Sequence, residues 1–431
     1  MSSGAPGYRR RLASSHRSRS ASPAAAQLIT AAAVGPRSVG PRSVGLRSVG
    51  LRSVGPRSVG LRSVGLRAAW LAMLLALCLP ATAAAPAGPT RNLILVTIDG
   101  LRWQEVFTGA DPQLLGDPAQ GAAAADADAR FRAADADDRR RRLLPFLWTV
   151  VARHGQLHGN AAAGNRIKAR NAYGVSYPGY NEILTGRADD ARITSNAPIA
   201  NPNRSFLADL NRLPGFQGAV AAFASWERFT WILDEQHSGL PINAGLREAR
   251  GASLSWRERR LNQLTRSLPH PWAPSRQDAL THGYAMAYLQ RKQPRVLYVA
   301  YGDADEHAHQ GQYHEYLAAA RRADDFLREL WQWTQSRAGY RGNTALMVAT
   351  DHGRGSGSAW RDHGRTIAGS HDAWLAIMGP DTPALGEQLT PATHYLEQIA
   401  STAMALLGFD SWRDAASWQP IDSALARNTP P

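Results

Sequence analysis

Three short stretches of this sequence gather carboxylates and imidazoles. Asp99 closes the run Arg91-Asn-Leu-Ile-Leu-Val-Thr-Ile-Asp-Gly100, and Gly302-Asp-Ala-Asp-Glu-His-Ala-His309 follows a second apolar run. Asp351-His352 closes a third run, with His363 and His371 downstream. Carboxylate oxygen and neutral imidazole nitrogen, without thiolate, suit Zn²⁺, with Mn²⁺, Fe or Co as alternatives. One such histidine alone is more often an ordinary core or surface residue. Acid and histidine collecting at the ends of three apolar runs is not accounted for in that way. A nucleophile is present as well, because Val175-Ser-Tyr-Pro-Gly-Tyr-Asn-Glu-Ile-Leu-Thr-Gly186 sets Ser176 before a Pro-Gly turn into an apolar helical segment. A serine at a helix start is by default an N-cap. The same place favours a developing alkoxide and an incoming anion, and metal coordination can activate a hydroxyl that has no neighbouring base.

These residues need a scaffold. The runs at 91–99, 218–223, 295–301 and 344–351, with a further candidate at 373–379, read as buried strands. Helical segments lie between them, clearest at 313–336 and 395–407. Alternating strands and helices predict an α/β fold: a doubly wound, mostly parallel sheet covered on both faces, which binds ligands beyond the carboxyl ends of its strands. Residues 107–142, rich in Ala, Asp and Arg, read as a solvated excursion. Residues 235–280 lack strand periodicity and are expected to form a cap.

The 431 residues carry a formal charge of +14, which would suggest a nucleic-acid or membrane-surface protein. Twelve arginines of residues 1–83, a stretch without Lys, Asp or Glu, produce most of it; without them 37 basic residues face 35 acidic ones. The body is nearly neutral, which argues against nucleic acid as a specific partner. Residues 1–67 contain a five-residue Val-Gly-(Pro or Leu)-Arg-Ser repeat and read as disordered. Residues 68–85, an apolar core after Arg67 and before small residues in Ala-x-Ala register, read as a secretory signal peptide. The alternative is an uncleaved anchor, although the apolar stretch is shorter than the ~20 residues of a comfortable span. Cleavage near Ala83 to Ala85 would remove Cys78, the only cysteine, leaving no disulfide or thiolate ligand. An exported catalytic domain over 90–410, followed by a tail at 411–431, is the expected organisation, with no stable membrane span after cleavage.

The order Asp99, Ser176, Asp305-x-x-x-His309, Asp351-His352 and a downstream histidine resembles the alkaline phosphatase superfamily over residues 92–408. It is most similar to the branch with type I phosphodiesterases and nucleotide pyrophosphatases. The resemblance implies two divalent metal ions, with Asp305, His309 and His363 at one and Asp99, Asp351, His352 and Ser176 at the other. It implies that Ser176 attacks phosphorus to give a phosphoseryl enzyme, and that Asn196 donates to a phosphoryl oxygen, with Asn201 the alternative. His371 competes with His363, and Asp303 with Asp305, although only Asp305 has the three-residue gap to His309. His307 is expected outside the ligand set. Arg187, Arg354 and Arg365 could contact an anion, but each alone reads as a surface residue.

The sulfatase branch carries Cys or Ser followed by x-Pro-x-Arg, and Tyr180 stands here where that arginine would be. A mutase of the same superfamily works on a cytoplasmic metabolite, which the signal peptide disfavours. The expectation is therefore an exported phosphodiesterase or phosphatase acting on a small phosphate ester. Its rival is a non-catalytic metal- or ligand-binding protein of the same fold.

Overall fold

The computed structural model describes residues 90–116, 129–410, 412–413 and 419–426, all within one unit, Leu79–Pro431. The repeat leader and the signal-like segment lie outside the described residues.

An eight-stranded sheet runs through the molecule in the order β10-β2-β9-β7-β1-β6-β4-β5. Its centre is β1 (Asn92–Ile98), flanked in parallel by β6 (Val296–Tyr301) and β7 (Thr344–Ala349). Every residue of these three strands is buried, and alternate residues serve different cores. Ile94, Val96 and Ile98 join one apolar cluster, Leu93 and Leu95 another. Successive side chains of a strand point to opposite faces, so an unbroken apolar run means cover on both sides. The parallel β4 (Val220–Ala224) and β5 (Ile242–Ala244) extend the sheet beyond β6. Beyond β7 lie β9 (Leu375–Met378), antiparallel to β7, then β2 (Gly155–His158) and β10 (Gly386–Glu387). A second sheet joins β3 (Asn165–Lys168) to β8 (Asp372–Ala373) and β11 (Ala392–Tyr395). This is the α/β architecture expected from the sequence.

The sequence missed four details. The 373–379 run is a core strand, but it points against its neighbour, because direction leaves no mark on an apolar run. The segment lacking strand periodicity contains β5, whose three residues are too few to show a period. Residues 107–142 are not simply solvated: Phe107, Leu114, Leu115 and Phe131 are buried. Arg140 there lies over the Trp148 ring and pairs with Glu387 at 2.9 Å, so its charge is spent on packing. Ile421 and Ala424, in the expected tail, are buried against the second cluster.

The helices that matter for the site are α1 (Ser176–Thr185), α2 (Trp256–Ser267), α3 (Asp278–Lys292), α4 (Asp303–His309) and α5 (Tyr313–Gln335). Among the described residues no helix is long and apolar enough to cross a membrane.

Candidate active site

Register brings the three acid-bearing strand ends together. Ile98 pairs with Tyr301, and Thr97 with Ala349. Asp99, the start of α4 and Asp351-His352 therefore leave the sheet side by side at its carboxyl edge, where doubly wound sheets bind ligands. Two glycines permit the close approaches that follow. A Cβ on Gly100, at φ +60°, would lie 2.6 Å from Asp305 Oδ1. A Cβ on Gly179 would lie 2.3 Å from the Asp351 carbonyl oxygen, so only glycine lets α1 seat against that strand end.

Ser176 is thereby delivered to the cluster. It is the first residue of α1, with Val175 in the N-cap position, so it does not cap the helix as a serine there by default would. Its Oγ instead lies 3.3 Å from His352 Nε2.

Two sets of donor atoms converge: Asp305, His309 and His363, and Asp99, Asp305 and His352. Asp305 belongs to both, whereas the resemblance had placed it in one set only. His309 Nε2 is 3.1 Å from Asp305 Oδ2 and 3.1 Å from His363 Nε2. His352 Nε2 is 3.3 Å from Asp99 Oδ1, 3.5 Å from Asp351 Oδ2 and 4.0 Å from Asp305 Oδ1.

Whether these residues fit a cation follows from their protons. His352 Nδ1 donates to the Gly353 carbonyl and His363 Nδ1 to the Gly174 carbonyl, each at 3.0 Å, which leaves both Nε2 atoms with lone pairs. Burial keeps both rings neutral, lowering the pKa of His352 to about 4; for His363 burial and the neighbouring His352 lower it to about 3. The His352 lone pair thus faces carboxylate oxygens, an arrangement that repels unless a cation or a proton lies between. Asp99 Oδ1 and Asp351 Oδ2 are buried without any hydrogen-bond partner. Burial, with Asp305 adding repulsion, raises the Asp99 carboxyl to about 7, and burial with Asp99 raises Asp351 well above its usual range. Imidazole and carboxylate oriented in this way fit divalent metal ions.

The surrounding side chains hold the donors in place. Tyr180 donates its hydroxyl to Asp99 Oδ2 at 3.0 Å, from the position where a sulfatase would carry arginine. Asn196 Oδ1 accepts from the Tyr177 backbone N–H at 2.9 Å, and its side chain lines the cleft together with Ser176. Arg354, read from sequence as a surface residue, is buried and reaches Asp305 Oδ1 at 2.6 Å. Burial opposes ionisation of Asp305, but Arg354 and His309 outweigh it and hold that carboxyl well below the usual range.

The other candidates belong to neither donor set, although Asp303 lines the cleft. The His371 backbone carbonyl accepts from Ala169. Asn201 is spent on Asn181 and the Ile232 carbonyl. Asp303 accepts from the Asp278 N–H and lies 3.6 Å from Arg322, and His307 pairs with Gln312. Arg187 lies 3.6 Å from Asp189, and Arg365 stands over the Tyr173 ring.

Beside the cluster opens a cavity of about 200 Å³. Asp99, Ser176, Asn196, Asp305 and His309 form one part of its wall, and Ser225, Trp226, Trp272, Ser275, Arg276 and Glu306 another. Sequence reasoning had not singled out Tyr180 as a support or Trp226 and Arg276 as lining. Tyr180 carried a signal, since four residues past a helix-start serine is one turn along the same face.

The fold is alkaline-phosphatase-like. In solved structures it is similar to the alkaline phosphatase PafA, at 11% identity and a TM-score of 0.52, over 79% of this chain and 100% of that one. It is also similar to the phosphonate monoester hydrolase SpPMH from Silicibacter pomeroyi, at 13% identity and 0.46, over 78% and 77%. The lipoteichoic acid synthase LtaP from Listeria monocytogenes gives 13% and 0.48, over 78% and 76%. At such identities the likeness is one of fold. Residues 215–385 match the model of the family described as type I phosphodiesterase / nucleotide pyrophosphatase. No curated protein sequence matches the chain.

Proposed function

We propose that the protein is an exported phosphoric ester hydrolase that works through a phosphoserine at Ser176 and prefers phosphodiesters. The single observation carrying this reading is the Ser176 hydroxyl at the start of α1, 3.3 Å from His352 Nε2 at the centre of the donor cluster. Asp305, His309 and His363 would hold one ion, and Asp99, Asp351 and His352 a second, Zn²⁺ in the first instance and Mn²⁺ as the alternative. When bound, such ions make a serine hydroxyl easier to ionise and neutralise charge on phosphoryl and leaving oxygens.

The chain's own groups do the rest. The amino end of α1 favours the negative charge that appears on Oγ as its proton leaves to solvent. The Oγ–P bond forms as the P–O bond to the leaving alcohol breaks on the opposite side, and the alcohol oxygen takes a proton from water. A water molecule then adds to phosphorus, the P–Oγ bond breaks, and Ser176 regains a proton. Asn196 is anchored through its Oδ1 to the Tyr177 N–H, which leaves its amide N–H groups to donate to a phosphoryl oxygen. Trp226 and Trp272 give the cleft room for an ester substituent beyond the phosphoryl group, which supports the diester preference. Export rests on the apolar segment at 68–85, outside the described residues.

The test compares p-nitrophenyl phosphate with bis(p-nitrophenyl) phosphate, using wild type and Ser176→Ala, with Zn²⁺ or Mn²⁺ restored after chelation. We expect turnover of the diester to exceed that of the monoester and Ser176→Ala to lose on the order of 10³-fold or more. Equal turnover by both proteins removes the serine mechanism. No turnover with any metal favours a binding protein.

A further inference from the structure

The charge of the body is unevenly spread. Residues 246–270 hold six arginines against two glutamates, a net of +4, whereas residues 84–431 as a whole have 37 basic against 35 acidic residues. The two glutamates are already engaged: Glu258 turns inward to Arg291 at 2.6 Å, and Glu248 pairs with Arg266 at 2.6 Å. Arg250, Arg257, Arg259 and Arg260 are exposed, and among the described residues no carboxylate oxygen is recorded within 4.0 Å of them. Trp256 stands among them at 64% exposure, with the Arg257 guanidinium 5.3 Å from its ring centroid. Four residues apart, Trp256 and Arg260 share one face of α2, opposite the buried Glu258, Asn262 and Thr265.

This surface is held firmly. Ser255 and Glu258 form a capping box, and Asn262 exchanges hydrogen bonds of 2.9 Å with the Ala249 backbone N–H and carbonyl. The buried Arg276, whose residue lines the cleft, donates to the carbonyls of Arg247 and Asn243 at 3.2 and 3.1 Å. The segment that walls the cleft and the segment that bears the arginines are therefore one fixed piece of the molecule.

An exposed indole on a helix face with guanidiniums that have no carboxylate partner is the chemistry of an interfacial contact: the aromatic ring rests at headgroup depth and the cations meet anionic lipid. Helix α2 is about 18 Å long at 1.5 Å per residue, and four arginines without a carboxylate partner, of which Arg259 donates to the Leu254 carbonyl and Arg260 to Gln263, fall short of the roughly six to ten phosphate contacts of strong duplex binding. We propose that the outer face of α2, with Trp256, Arg257, Arg259 and Arg260, docks on an anionic lipid bilayer surface, the exposed Arg250 of the preceding loop adding to its charge. The docking is peripheral and salt-sensitive, because one exposed indole on a polar helix is no insertion device.

The arginine-rich leader is attracted to anionic lipid by the same physics, so the test must read α2 locally. Hydrogen exchange of residues 246–267 is followed in the full chain, with phosphatidylglycerol/phosphatidylcholine vesicles, with phosphatidylcholine vesicles and with duplex DNA. We expect at least about two-fold slower exchange around 250–260 with the anionic vesicles alone, lost at about 0.5 M salt. The triple variant Arg257→Gln/Arg259→Gln/Arg260→Gln loses this protection, and Trp256→Ala weakens vesicle binding by about ten-fold. Both variants keep the wild-type melting temperature and soluble-ester turnover, since their side chains are exposed and lie outside the donor cluster. Vesicle binding without protection of α2 would assign membrane contact to another part of the chain and overturn the proposal. Equal protection by neutral vesicles, or protection by DNA alone, overturns it as well.

Discussion

Asp324 and Glu182 are buried as deeply as Asp99 and Asp351, yet their surroundings differ in kind. Asp324 accepts the backbone N–H groups of Phe146 and Leu147 at 2.8 and 2.9 Å, one on each oxygen. Glu182 accepts from the Arg170 and Asn171 N–H groups and from the Asn171 side chain, at 2.9, 2.7 and 2.6 Å. Asp99 and Asp351 each leave one buried oxygen without a partner. Burial raises Asp324, Glu182 and Asp99 alike to about 7. A perturbed pKa therefore marks burial in this protein, while an orphaned oxygen aimed at a neutral imidazole marks the place for a cation. The first pair organises backbone; the second pair is left incomplete by the chain itself.

The largest expected effect comes from breaking the second pair. Asp351→Asn should lower metal content after dialysis and reduce kcat/KM by at least about 100-fold. The same change should raise the stability of the metal-free protein by about 1–3 kcal/mol, because it removes a carboxyl whose buried oxygen has no partner. Glu182→Gln is the matched control: metal content stays, and metal-free stability falls by a similar amount as backbone donors lose an acceptor. Bound metal per chain and urea unfolding after chelation measure both. A fall in stability for both variants would erase the difference between the two pairs.

A smaller effect is expected at Tyr180, whose hydroxyl holds Asp99 from outside the donor set. Burial, with Asp351 and Asp99 adding to it, keeps that hydroxyl protonated well above its usual pKa, so it remains a donor. Tyr180→Phe should weaken metal affinity or turnover by about 10- to 100-fold, with little change in chelated-state stability. Titration with a competing chelator separates affinity from turnover. An unchanged affinity together with unchanged turnover would show that Tyr180 is packing only.

The scaffold was largely legible because β1, β6 and β7 are unbroken apolar runs, and a run buried on both faces has few other readings. Their order in the sheet, which sets Asp99 between Asp305 and Asp351, was not read from the sequence, because no local pattern marks which strands are neighbours. What escaped was set by partners distant in sequence. Arg354 lies in a Gly-Arg-Gly-Ser stretch that reads as loop surface, and its burial rests on Asp305, distant in sequence, and on the Arg361 carbonyl. Trp226 and Arg276 come from segments without usable period, so nothing local marks them as cleft wall. The small strands β2, β3, β8, β10 and β11 have two to four residues, too short for alternation to register.

The first pair can be tested by pH, through stability alone. Asp324 keeps its proton in the folded protein up to about pH 7, whereas unfolded it ionises near its ordinary 3.8. Between those values the folded state binds more protons, so this group's contribution to stability declines as pH rises, by at most about 1.4 kcal/mol per unit. Above about pH 7 both states are ionised and the contribution is flat. Asp324→Asn removes the titration but sets an amide NH₂ against a backbone N–H, at a constant cost of about 1–2 kcal/mol. The variant should therefore be at most about 1 kcal/mol less stable than wild type near pH 4.5 and overtake it by about 2–3 kcal/mol at pH 7.5, measured by urea unfolding of the chelated proteins. A gap independent of pH would mean that the two backbone donors hold Asp324 ionised throughout, and that it differs from Asp99 in protonation as well as in partners.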